Sequence, residues 1–163
     1  MKKLFILATA LCFAAASLFA SDVAPKTVQT AFQKKFPSAK EVKWSKENTH
    51  EYEAEFMAEG KKVTANFSDA GKWMETETEL NYAMLPIAVQ SSFEKMHSKQ
   101  KSVIATKIES ASSPVLFELE FTNGKSSEEV FFSEDGKMIE QKKKLSEKDD
   151  EEEEEDDDEE GND

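Results

Sequence analysis

Few residues in this 163-residue chain have the chemistry to act on a substrate, and their spacing argues against most of the uses they have elsewhere. His50 and His97 are the only histidines, and neither stands at a metal-ligand spacing from other donors, so both are expected at the surface. Serines are plentiful, but no Gly-x-Ser-x-Gly elbow surrounds any of them. The rows Glu51-Glu53-Glu55 and Glu118-Glu120 would put carboxylates side by side, as an acid/base pair requires. Alternate residues of a strand share a face, however, and such rows are expected to form a solvated face that discourages edge pairing. Asp69-Ala70-Gly71 and Glu134-Asp135-Gly136 lack the alternating acids and closing glutamate of a calcium loop, and are expected to be hairpin turns with glycine at positive φ. Trp44 alternates in phase with Val42, as a core residue would, and Trp73 fits core or surface equally. No catalytic, cofactor-binding or metal-ligating residue is assigned. The candidate contacts for a partner are Trp44, Trp73, Glu53, Glu55, Glu118 and Glu120.

The elements that hold these residues repeat along the chain. Phe67-Ser68-Asp69-Ala70-Gly71-Lys72-Trp73-Met74 returns as Phe132-Ser133-Glu134-Asp135-Gly136-Lys137-Met138-Ile139. A proline-led amphipathic helix precedes each copy, from Pro25 with Val28, Phe32 and Phe36 and from Pro86 with Val89, Phe93 and Met96 behind Leu85. Alternating strands come next, with Tyr52, Ala54 and Phe56 and later Phe117, Leu119 and Phe121 pointing to the core. Strands joined by turns of a few residues pair antiparallel. The expected fold is therefore α+β: two tandem helix-plus-antiparallel-strands units, about 23–80 and 81–144, forming one sheet of about eight strands with both helices on one face.

Composition narrows the setting. Lys2 and Lys3, the apolar run Leu4 to Phe19 and the small Ala20 read as a signal peptide over 1–20, leaving a domain over 21–145 that begins near Ser21. The apolar run is too short to span a bilayer, so no membrane insertion is expected after cleavage. Cys12, the one cysteine, leaves with the leader, which excludes disulfides and thiol chemistry from the mature chain. The formal charge is -13, but fourteen acids against one lysine after Ser146 account for -13, while twenty acids against eighteen lysines from Ser21 to Ser146 leave -2. There is no arginine, and a near-neutral domain ending in polyanion repels nucleic acid. The segment 146–163 is expected to be a disordered acidic tail that serves solubility and spacing, with weak, diffuse binding of divalent cations or contact with a basic partner as the other readings. Lys142-Lys143-Lys144, next to it, are placed to fold back on those acids.

These features together resemble a known family, the PepSY-like, beta-lactamase-inhibitor-like proteins, small secreted bacterial proteins with tandem units. The likeness rests on the proline-led helix with Phe32, the Phe36-Pro37-Ser38-Ala39 exit before Val42 and Trp44, the Tyr52-to-Phe56 strand and the Phe67-to-Trp73 turn. In the second unit it rests on Leu85-Pro86, Val89, Phe93 and the Phe132-to-Gly136 turn. The tail, and Met138 where a second tryptophan would stand, depart from the pattern. The resemblance implies a non-enzymatic periplasmic or secreted module that binds or inhibits another exported protein. The alternative is a cation-binding (calcium) envelope protein working through its acidic tail, and a third reading is a hydrolase with an unfamiliar site.

Overall fold

The computed structural model describes residues 24–145, apart from Lys99, Lys101 and Lys125. The expected leader over 1–20 with Cys12 and the expected tail over 146–163 lie outside the described residues. Helix α1 (Lys26–Lys35) comes after Pro25, whose φ of -53° is already helical and whose missing N–H costs nothing at this end. Helix α2 (Ile87–His97) comes after Pro86 with the same φ. In both, a glutamine four residues after the proline reaches back: the Gln29 amide donates to the Ala24 carbonyl at 2.7 Å and the Gln90 amide to that of Leu85 at 2.8 Å. The buried stripe runs along the i, i+4 ridge as Val28 and Phe32, and as Val89 and Phe93. The sequence stripe is wrong at one position. Met96 is 45 % exposed, because the next step of the ridge is His97, whose ring packs beneath the helix end.

The strands fall into two groups: β1 (Lys40–Asn48), β2 (Glu51–Ala58), β3 (Lys61–Ser68) and β4 (Trp73–Leu80) after α1, and β5 (Val103–Ser110), β6 (Leu116–Asn123), β7 (Ser126–Ser133) and β8 (Met138–Leu145) after α2. A single 3-10 turn, Tyr82–Met84, joins the groups. The strands make one antiparallel sheet in chain order, with β1 and β8 at its edges. The repeated Ser-to-Lys turn has the same hydrogen bonds in both places, Gly71 N–H to Ser68 and Gly136 N–H to Ser133, at 2.8 and 2.9 Å. Its glycine does more than adopt φ near +80°. A Cβ would stand 3.0 Å from the Thr27 carbonyl oxygen at Gly71, and 2.4 Å from that of Ala88 at Gly136, so each turn lies against the first turn of its helix.

Alternation in the strands builds the cores. Phe32 meets Trp44, Phe56 and Phe67 edge-on, with centroids 5.2, 5.0 and 6.1 Å away, and Ala54, Val63 and Ala65 complete this cluster. Val89 and Phe93 close over Ala105, Phe117, Leu119, Phe121, Val130 and Phe132. A third, small cluster of Ile108, Leu116 and Phe131 lies on the other side of the strands, since Phe131 alternates with Val130 and Phe132. The alternation in the sequence names the inward residues of β6 and β7 but not this cluster.

Candidate functional site: a carboxylate face on the sheet

Antiparallel pairing keeps opposed residues on the same side of a sheet, so the register shows which strand residues share a face. Glu53 opposes Asn66, and Asn66 opposes Glu75. Glu55 leads through Thr64 and Glu77 to Ile108 and Leu116, and Glu79 leads through Thr106 and Glu118 to Phe131 and Glu140. One face thereby collects ten glutamates, Glu51, Glu53, Glu55, Glu75, Glu77, Glu79, Glu118, Glu120, Glu129 and Glu140. Among the described strand residues five lysines accompany them, Lys40, Lys43, Lys62, Lys142 and Lys144. The small Ile108, Leu116 and Phe131 cluster is the apolar floor of this face.

The face is drier than the sequence implies. Glu51, Glu77 and Glu129 are buried, and Glu53, Glu55, Glu118 and Glu120 are half-buried, not fully solvated. Sheet neighbours shield them: the Asn48 amide donates to Glu51, the Ser45 hydroxyl to Glu53 at 3.4 Å, and the Ser127 hydroxyl to Glu120 at 3.1 Å. Burial is the first cause that pushes Glu53 up to about 7, and the charges of Glu47 and Glu55 add to it. Glu118 is likewise pushed up to about 7 by burial and then by Glu129 and Glu120, against an opposing pull from Lys142 and Lys144. Glu75 is raised by burial and by Glu51. Among the described residues the lysines of β8 make contacts within the sheet; the tail they were expected to fold back on lies outside those residues. Lys144 donates to Glu129 at 2.9 Å, Lys143 lies 4.0 Å from Glu128, and the Lys142 ammonium stands 4.9 Å from the Phe131 ring centre.

Between β1 and β5 this face opens into a depression of about 220 Å³. Met57 and Ile104 contribute apolar surface to it, and Glu41, Glu55, Glu77 and Glu79 stand around it together with Lys43 and Lys62, an excess of two negative charges. Ile104 is 52 % exposed there. Ile104 shares this face with Thr106 and Ile108, and the apolar run from Val103 to Ile108 does not by itself distinguish it as a surface residue.

The other candidate residues lie elsewhere. Trp44 and Trp73 are half-buried at the rim of the α1 cluster, on the side of the strands away from the carboxylates. The Trp73 indole N–H donates to Thr76 at 2.9 Å, and the Lys35 ammonium sits 3.6 Å above its ring. The expected solvated row is thus brought together with further glutamates from β4, β7 and β8, but not with the tryptophans. His50 is exposed as expected, 3.1 Å from Asp69, whose carboxyl that contact holds below its usual range. His97 is half-buried, not a free surface histidine: its ring lies 5.2 and 4.7 Å from those of Phe93 and Phe121, and its Nε2 is buried with no hydrogen-bond partner among the described residues. Among the described residues no three His, Cys, Asp or Glu side chains converge as a metal site would.

The family described as "Putative beta-lactamase-inhibitor-like, PepSY-like" matches residues 14–64 and 50–140. The chain belongs to this PepSY-like family. Solved structures share the fold. A "BLIP-like protein" from Bacteroides fragilis is 27% identical, with a TM-score of 0.68 over 77% of this chain and 89% of its own. A "DUF2874 family protein" from Bacteroides ovatus is 24% identical, with a TM-score of 0.69 over 75% and 89%. A protein of Bacteroides eggerthii described among "putative periplasmic proteins" is 22% identical, with a TM-score of 0.69 over 74% and 88%. No curated protein matches the chain. In this PepSY-like chain no helix among the described residues is long and apolar enough to cross a membrane.

Proposed function

We propose that this PepSY-like protein is an exported, non-enzymatic binding module, inhibitor-like, that holds another envelope or secreted protein against its carboxylate face. Both helices pack on the opposite face. Val63, in the α1 cluster, opposes Thr78; Leu80, two residues along and on the same side, opposes Ala105 of the α2 cluster. Opposed and alternate residues stay on one side of a sheet, so the two helices share a side, and among the described residues no layer covers the carboxylates.

The observation that carries the reading is this uncovered sheet face, where an apolar floor and half-buried carboxylates lie without any catalytic grouping beside them. A large, rigid, partly desolvated surface suits association with a folded partner better than turnover of a small substrate. The beta-lactamase-inhibitor-like description of the family and of the Bacteroides fragilis relative supports the same class of action. Export rests on the leader over 1–20 and places the protein in the periplasm or outside the cell. Among the candidate contacts, Glu53, Glu55, Glu118 and Glu120 belong to the binding face, and Trp44 and Trp73 brace its far side.

Capture of envelope proteins on the immobilised mature chain tests the reading. A partner retained by the natural chain and released by Glu53→Lys combined with Glu118→Lys is the expected result. A partner that binds the double variant equally well, with the fold intact by circular dichroism, overturns the choice of face, and capture of nothing from native envelopes overturns the binding function.

A further inference from the structure

The charges of the described residues are segregated across the sheet. Against the ten glutamates and five lysines of the carboxylate face, the strand residues of the other face carry Lys46, Lys61, Lys107 and Lys143 and only Glu109 and Glu128. Helix α1 adds Lys26, Lys34 and Lys35 and no acid. The near-neutral domain is therefore strongly polarised, and its field attracts a cation to one side only. Burial first, and neighbouring carboxylates after it, push Glu53 and Glu118 up, so an arriving positive charge offsets part of the repulsion on this face.

We propose that the partner presents a lysine- or arginine-bearing segment to this face, with the aliphatic stem of one such side chain over Ile104 and Met57 and its cationic end among Glu55, Glu77 and Glu79. The inference rests on the binding function above and adds the chemistry of the partner. The depression is formed for such a side chain. An amphipathic stem needs apolar surface along its length and charge at its tip, and this is the arrangement of Met57 and Ile104 beside the three glutamates. Lys62 stands 3.9 Å from Glu79, at the long limit of an ion pair, and both are largely exposed. It and Lys43, which opposes Glu55, trim the negative charge, and Ile104 stays 52 % exposed beside them. A purely apolar partner would strand the buried carboxylates, and an acidic one would add to their repulsion.

The test uses the full mature chain labelled with nitrogen-15 and a capped Lys-Val-Lys-Val-Lys peptide as probe, monitored by amide shifts so that the sheet and the acidic segment after Ser146 are read separately. Saturable shifts at Thr64, Ile104 and Thr106 are expected, weakening about tenfold in Glu55→Gln combined with Glu79→Gln, as for two lost, partly screened charge pairs. Glu94→Gln, on α2, should leave them unchanged, and raising salt from about 20 to 300 mM should weaken them several-fold. Shifts confined to residues after Ser146, sheet shifts that ignore the double substitution, or a second copy of the chain occupying the face in sedimentation each overturn the inference. An envelope partner that releases the peptide from the sheet supports it. A captured partner that binds the face while the peptide stays in place overturns the inference and leaves the binding function standing, whereas peptide binding with no partner in the envelope does the reverse.

Discussion

The two halves of the molecule solve one packing problem with different residues, and the places where they differ expose what the shared frame tolerates. Each half lays a proline-led helix on four antiparallel strands, ties the helix start with a glutamine, and seats a glycine turn against the first helical turn. At the helix end, Phe36 and His97 occupy matching positions. Phe36 lies 5.4 Å from Phe32 and 4.8 Å from Phe56, and His97 lies 5.2 Å from Phe93 and 4.7 Å from Phe121. The first half thus completes its aromatic stack with an apolar ring, and the second places a polar one there and leaves Nε2 unpaired. After the glycine turn the contrast reverses. Trp73 opposes Phe67 past a bulge and is braced by Thr76 and Lys35, whereas Met138, opposing Phe132 past the same kind of bulge, is 43 % exposed. The frame demands a flat ring under the helix end and is indifferent to the side chain that opens the strand after the turn.

The largest effects should fall equally on both halves. Phe56→Ala and Phe121→Ala each remove a ring that is about 3 % exposed, one beneath each helix, and each should cost about 3–5 kcal/mol in denaturant unfolding. A large difference between them would mean that one half is the folding core and the other merely docks onto it.

The glycine turns should separate the halves. Gly136→Ala forces a methyl to 2.4 Å from the Ala88 oxygen, where backbone must move, and should cost about 3 kcal/mol. Gly71→Ala meets the Thr27 oxygen at 3.0 Å and should cost about 1–2 kcal/mol, mostly for its positive φ. Thermal unfolding of the two variants side by side measures the difference, and the reverse order would break the comparison.

His97→Phe tests the helix-end contrast directly. It reproduces the Phe36 arrangement and removes an unpaired buried nitrogen, so a gain of about 1 kcal/mol in chemical denaturation is expected at pH 8. A loss would show that His97 has a partner in solution that compensates its burial.

The smallest effect concerns one glutamate from each half. Folding raises Glu53 and Glu118 from an ordinary 4.5 to about 7, so the folded state favours their neutral forms. The stability tied to those protons is full below about pH 4.5 and is lost as pH rises through about 7. Glu53→Gln and Glu118→Gln should therefore each gain about 1 kcal/mol at pH 8, after screening by the water that still reaches them, and nothing near pH 4. Unfolding curves across that range check both size and sign. A gain that is the same at all pH values would trace to packing, not to charge.

Much of this architecture is legible in the amino-acid order, because the signals that encode it are local. Proline before the Val28–Phe32 and Val89–Phe93 spacings starts both helices where they are found, and period-two alternation identifies β2, β3, β6 and β7 and their inward residues. The strand limits Trp73–Leu80 are set by the glycine turn before them and the polar alternation within them. The features that escaped depend on residues far apart in the chain. Glu51 and Glu53 look like a wet row within their own strand; nearby Asn48 and Ser45 hydrogen-bond them, and the face they are buried in is completed by β4, reached through β3. Phe131 reads as the off-phase neighbour of two core residues until the register sets it beside Ile108 and Leu116. His97 reads as a polar helix end until the helix is laid on Phe121. Periodicity along the chain determined which residues form each element and which way they point. Only the tertiary pairing of distant strands decided which carboxylates crowd together, how far water is withdrawn from them, and hence where this protein carries its charge.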